Sequence, residues 1–102
     1  MNYIEVKTKK EYIILLNELL KETKDLTNRF PSLSIYLSIE NQIIDIIDII
    51  EKKQRLSDND IYKRYTLGAI AVKNFDSKKE IYGRKLEDIF GALFEYWNMP
   101  EE

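Results

Sequence analysis

The chain has 102 residues, a formal charge of −2 and a pI near 5.3, with 44% hydrophobic and 33% charged residues, which describes one globular domain over residues 1–102. Three Gly and two Pro argue against a turn-rich sandwich or barrel and for long helices. With no Cys there is no disulfide, thiolate nucleophile or cysteine zinc site; with no His the commonest general base and metal ligand are missing; and the slight acidity argues against an electrostatic grip on nucleic acid.

Residues 1–7 alternate weakly and read as a short lead-in without the basic-then-apolar pattern of a secretory signal. The first helix is expected over about residues 9–29. Thr8 followed by Glu11 forms a capping box, in which each side chain satisfies an orphan backbone N–H. Behind it Tyr12, Leu15, Leu16, Leu19, Leu20 and Leu26 recur at helical spacing, and Phe30-Pro31 stops the helix.

A second helix is expected over about 32–55, starting at Pro31/Ser32 or recapped at Ser38. At 100° per residue Asn41, Asp45, Asp48, Lys52 and Arg55 fall on one polar stripe, and most of the remaining circumference from Ile43 to Ile50 is isoleucine. Such a helix reads as the central one. It is too short and too interrupted by Asp45 and Asp48 to span a bilayer, so no membrane partner is expected and the expected compartment is the cytoplasm.

Ser57-Asp58-Asn59-Asp60 ends that helix and caps a third over 58–74, with Ile61, Tyr65, Gly68, Val72 and Phe75 on one face. Gly68 costs about 1 kcal/mol against Ala, which points to close approach of a neighbouring backbone. A second capping box, Ser77 to Glu80, opens a fourth helix over 77–97 with Tyr82, Leu86, Ile89, Leu93, Tyr96 and Trp97 as its stripe. Asn98-Met99-Pro100 ends it, and Glu101-Glu102 reads as a solvated tail. Short connections favour antiparallel neighbours, so the expected architecture is all-α, a compact four-helix bundle.

Two stretches carry a resemblance. Arg29-Phe30-Pro31, followed by Leu37-Ser38-Ile39-Glu40-Asn41-Gln42-Ile43, is one. Tyr65-Thr66-Leu67-Gly68-Ala69-Ile70-Ala71-Val72-Lys73-Asn74-Phe75-Asp76, followed by a helix with Leu86 and Phe90, is the other. Together they resemble the small helical immunity proteins of bacterial type VI secretion, over about residues 29–90. The resembled member neutralises an effector that hydrolyses NAD+ and NADP+. The resemblance implies a cytoplasmic protein that binds a cognate toxin domain and covers or distorts its active-site cleft. It implies no enzyme activity and no cofactor. Asp45 and Asp48 depart from the resembled pattern, which leaves room for a toxin of different chemistry.

Each candidate site has a functional and a structural reading. In the Leu67 to Phe75 block, Lys73 could reach an acidic or carbonyl group of the toxin, or be solvated while Leu67, Gly68, Val72 and Phe75 pack helix on helix. Glu40, Asp45, Asp48 and Glu51, with no Lys or Arg among residues 40–51, could complement a cationic cleft, or form a solubilising seam. A metal shared by Asp45 and Asp48 is the weaker reading, since no third ligand stands nearby. Phe90, Phe94, Tyr96 and Trp97 cannot all face one stripe; Phe94 is the one expected to serve as a partner anchor. The basic pairs Lys9-Lys10, Lys52-Lys53, Lys63-Arg64 and Lys78-Lys79 read as solvated. The rival to toxin binding is a homo-oligomeric helical scaffold with the isoleucine-rich helix as its seam.

Overall fold

The computed structural model describes residues 6–76 and 79–102, and every regular element in it is helical. Five α-helices follow one another: α1 (Lys9–Arg29), α2 (Ser34–Glu51), α3 (Asp58–Arg64), α4 (Leu67–Asn74) and α5 (Ile81–Leu93), with a terminal 3-10 turn at Tyr96–Asn98. The all-α expectation holds; the four-helix bundle gives way to five helices, because the element expected over 58–74 is broken at Tyr65-Thr66.

α1 begins where its cap predicts. The Thr8 hydroxyl accepts from the Glu11 backbone N–H at 3.0 Å, and the Glu11 carboxylate reaches back toward the Lys7 N–H. Glu101 and Glu102 are exposed, as expected of a solvated tail, but the backbone of the tail is engaged. The carbonyls of Pro100 and Glu101 accept from the N–H groups of Lys9 and Lys10 at 2.9 and 3.2 Å, so the C-terminal segment satisfies donors that a helix start leaves open. Lys9 is not simply solvated either: its ammonium lies 5.8 Å from the rings of both Tyr96 and Trp97 and pairs with Glu101.

α1 and α2 form one helical hairpin, α4 and α5 another, and α1 lies against α5 to join them. The central helix is therefore α1, not α2. Its Tyr12, Leu16 and Leu19 are fully buried against Ile39, Ile43, Ile46 and Ile49 of α2 and Leu86, Ile89 and Leu93 of α5. Ile44 stays on the open side of α2. Two polar groups are buried with their bonds made: Tyr12 donates to the Ile89 carbonyl at 2.7 Å, and Thr23 donates to the Leu19 carbonyl while Tyr82 donates to Thr23.

α2 ends at Glu51 rather than Arg55. Lys53 adopts φ 56°, the Lys53 N–H bonds the Ile50 carbonyl and the Gln54 N–H bonds the Ile49 carbonyl. That is a Schellman stop with lysine at the left-handed position usually held by glycine, so the sequence carries no glycine to announce it. α5 starts at Ile81, with extended Glu80 as its N-cap and no side-chain cap bond. Of the capping box expected there, Ser77 lies outside the described residues.

Candidate functional site

The break between α3 and α4 builds an organised polar surface from α2 and the turn between the two short helices. Ser57 caps α3 by accepting from the Asp60 N–H, Asp58 and Asp60 sit in its first turn and Lys63 and Arg64 in its last, all matching the helix dipole. Tyr65 then turns extended, at φ −121° and ψ 139°. Two side chains of α2 hold that turn. Asp45 accepts from Arg64 Nε at 2.7 Å and Nη2 at 2.9 Å, and from the Tyr65 hydroxyl at 2.6 Å. Gln42 accepts from the Thr66 N–H at 2.8 Å and donates to the Thr66 hydroxyl at 2.9 Å. One amide thus replaces the helical partner that Thr66 loses at the break.

This clamp shapes the ionisation of its members. The hydrogen bonds from Arg64, and secondarily from Tyr65, hold the Asp45 carboxyl below its ordinary value. Burial, then the bond to Asp45, pushes the Tyr65 phenol well up. A groove of about 580 Å³ opens beside the clamp, lined by Ser34, Leu37, Ser38, Asn41, Gln42, Asp45, Arg64 and Tyr65.

The two motif blocks of the sequence meet here. Gln42 belongs to the first and Thr66 to the second, and the two hydrogen bonds between them tie α2 to the α3–α4 turn. The rest of the second block is mixed. Leu67 and Ala71 are buried. Gly68 does permit close approach, though by a ring rather than a backbone: a Cβ there would lie 2.8 Å from Phe90 Cδ2. Phe75 packs against Gly83, where a Cβ would lie only 2.5 Å from Phe75 Cβ. Val72 does not pack in the helix–helix contact expected of it; it is 71% exposed, because the break at Tyr65-Thr66 rotates α4 relative to α3.

The other expected site residues are dispersed. Asp48 pairs with Lys52 at 3.0 Å and Glu40 is half-buried on α2. The oxygens of Asp45 are taken by Arg64 and Tyr65, which leaves the Asp45–Asp48 pair poorly suited to share a cation, and among the described residues no group of three metal-ligating side chains forms. Lys73 is exposed at the end of α4 and lines a second groove with Val72, Asp76, Glu80 and Glu87. Phe94 lies in an aromatic cluster, its ring 4.8 Å from Tyr62 and 5.3 Å from Phe90. Arg64, expected to be solvated, is instead bonded to Asp45, and Tyr62 carried no signal in the sequence; each gains its role from a helix distant in the chain.

The sequence model of the Tsi6 family matches residues 11–95, most of the chain and both sides of the clamp. The chain belongs to the Tsi6 family. Tsi6 proteins are immunity proteins of type VI secretion. No curated protein and no solved structure gives a significant match. The family match runs from the first turn of α1 to the end of α5, so the Tsi6 unit includes both hairpins and the α3–α4 break. No helix among the described residues of this Tsi6-family chain is long and apolar enough to cross a membrane.

Proposed function

We propose that this protein binds a cognate secreted toxin in the cytoplasm and inhibits it by covering its active-site cleft, without catalysing a reaction itself. The observation that carries this reading is the Tsi6 family match over residues 11–95. The resemblance of the Leu37–Ile43 and Tyr65–Asp76 blocks to immunity proteins directed at NAD(P)+-hydrolysing effectors favours a toxin of that chemistry. Occlusion of a cleft calls for an interface of about 1,600 Å² in total with a desolvated centre, and protection during toxin delivery calls for slow dissociation.

The carboxylates of α2 suit this role as steering groups. Glu40 and Asp48 sit on the helix itself, and Asp45 holds the neighbouring turn, its charge balanced by Arg64 as that of Asp48 is by Lys52. Lys73 and Phe94 are candidates for a separate contact, since they belong to α4 and the end of α5.

The test is direct. The toxin domain encoded by the adjoining gene is mixed with a molar excess of this protein and NAD+ loss is followed. Arrested hydrolysis with a complex on gel filtration supports the reading. Undiminished hydrolysis with no complex removes it. A complex that forms while hydrolysis of another substrate stops keeps the immunity role and rejects the NAD(P)+ assignment.

A further inference from the structure

α2 carries an apolar strip on its outward side. Leu33 and Leu37 are each 49% exposed and Ile44 is 43% exposed, although large aliphatic side chains of a small protein are normally drawn into its core. At 100° per residue the three lie within a sector of about 40°, spread along roughly 16 Å of helix. Glu40 and Asp48 border that sector, and Asn41 lies about 40° beyond its edge. The strip adjoins the groove beside the clamp, because Leu37 and Asn41 line that groove.

The charge of this helix decides what the strip can meet. From Ser34 to Glu51 it contains Glu40, Asp45, Asp48 and Glu51 and no Lys or Arg. Asp45 and Asp48 are paired with Arg64 and Lys52, whereas Glu40 and Glu51 add net negative charge. Glu51 also sits in the last turn, where the helix dipole is already negative; an acid there is unfavourable by about 0.3–1 kcal/mol. A second copy of this chain docking by two-fold symmetry would set these acids against each other. A basic partner would be attracted by them.

We infer that the outward strip of α2, with Leu33, Leu37 and Ile44 as anchors and Glu40 and Glu51 as flanking charges, is the surface that enters the toxin domain, and that it meets an apolar floor rimmed by Lys or Arg. This rests on the immunity reading above. The clamp stands behind the strip: by tying α2 to the α3–α4 turn through Asp45 and Gln42, it holds the docking helix in place and lowers the ordering cost on binding.

The experiment measures binding of a catalytically inactive toxin domain, from the adjoining gene, to wild type and variants by surface-coupled kinetics. Leu37→Arg combined with Ile44→Arg weakens binding by about 100-fold or more, mostly through faster dissociation. Leu33→Ala with Leu37→Ala, a milder pair, weakens it by about 10-fold or more and serves if the arginine pair does not fold. Glu40→Lys with Glu51→Lys slows association by about 10-fold at low salt and flattens its salt dependence. Val72→Arg and Ile81→Arg, exposed apolar positions on α4 and α5, leave affinity unchanged. Melting temperatures separate docking effects from misfolding.

Wild-type binding that survives every α2 variant overturns the inference and leaves the immunity reading standing. Loss of affinity confined to Val72→Arg or Ile81→Arg also overturns it and moves the interface to the other hairpin. A wild-type dimer by sedimentation that Leu37→Arg dissolves overturns it in favour of self-association. No wild-type binding at all removes the immunity reading first.

Discussion

Gly83 and Gly91 lie on the same helix and should respond to alanine with opposite signs. Both lie inside α5, where glycine costs about 1 kcal/mol against alanine through backbone entropy. A Cβ on Gly91 meets nothing within 4 Å, so Gly91→Ala should gain most of that amount. A Cβ on Gly83 would sit 2.5 Å from Phe75 Cβ and 3.4 Å from Phe75 Cγ. Carbon atoms in good contact are about 3.5–4 Å apart, so α4 must move away from α5 by about 1 Å. The atom in the way is a Cβ, fixed to the backbone, and no rotamer change relieves it. Overpacking of this kind costs about 1–3 kcal/mol, which outweighs the propensity gain. In a domain of about 100 residues 1 kcal/mol moves the melting temperature by about 4–8 °C. Thermal unfolding followed by circular dichroism should therefore show Gly91→Ala melting several degrees above wild type and Gly83→Ala several degrees below it. The Gly68→Ala variant should fall between them, because the obstructing atoms there belong to the Phe90 ring, which can tilt toward Tyr62 and Phe94. Equal stabilisation by Gly83→Ala and Gly91→Ala would show that the α4–α5 crossing is looser than this geometry requires.

Three further outcomes follow from the caps and the clamp. Lys53→Gly should stabilise the protein by about 0.5–1 kcal/mol, since it relieves a left-handed side chain at the cost of a more flexible unfolded chain; a lower denaturation midpoint would contradict the Schellman stop. Asp45→Asn should destabilise by about 1 kcal/mol at neutral pH, near the upper limit for an ion pair that is one-third exposed. The Asp45 carboxyl is held low in the fold, so its contribution is present above the unfolded value near 4 and lost as pH falls through the folded value; melts should show wild type and Asp45→Asn converging below about pH 4, and a constant gap would refute the assignment. Gln42→Ala removes both partners of Thr66 and should cost about 1–2 kcal/mol, with faster hydrogen exchange at the Thr66 amide; unchanged exchange would mean that the turn does not depend on Gln42.

Asp45 also changes how charge reversal on α2 must be read. A lysine at 45 would face Arg64 across the clamp and loosen the α3–α4 turn, so Asp45→Lys tests stability before it tests docking. Glu40 and Glu51 report on the partner without touching that turn.

The local half of this structure was legible in the residues. Thr8 with Glu11, and Ser57 with the acids after it, place helix starts through bonds that span only three residues. The apolar period of α1 and α5 identifies Tyr12, Leu16, Leu19, Leu86, Ile89 and Leu93 as core because each helix keeps a single phase throughout. The motif blocks pointed to the family that the sequence model then matched over residues 11–95. The stop of α2 was hidden because lysine occupies a position whose usual sign is glycine.

Only the folded chain decided the rest. The helix expected over 58–74 breaks because Asp45 and Gln42, some twenty residues earlier, offer Tyr65 and Thr66 better partners than helix continuation does. That break resets the helical phase, which turns Val72 outward and gives Arg64 and Tyr65 to the clamp. Which side of the isoleucine-rich α2 is covered was likewise undecidable by period alone, since nearly every direction around it is apolar; its packing on α1 buries Ile39, Ile43, Ile46 and Ile49 and leaves Leu33, Leu37 and Ile44 facing out. Periodicity records the spacing of side chains along one element, whereas a surface is defined by which neighbours are absent, and that is a property of the assembled helices.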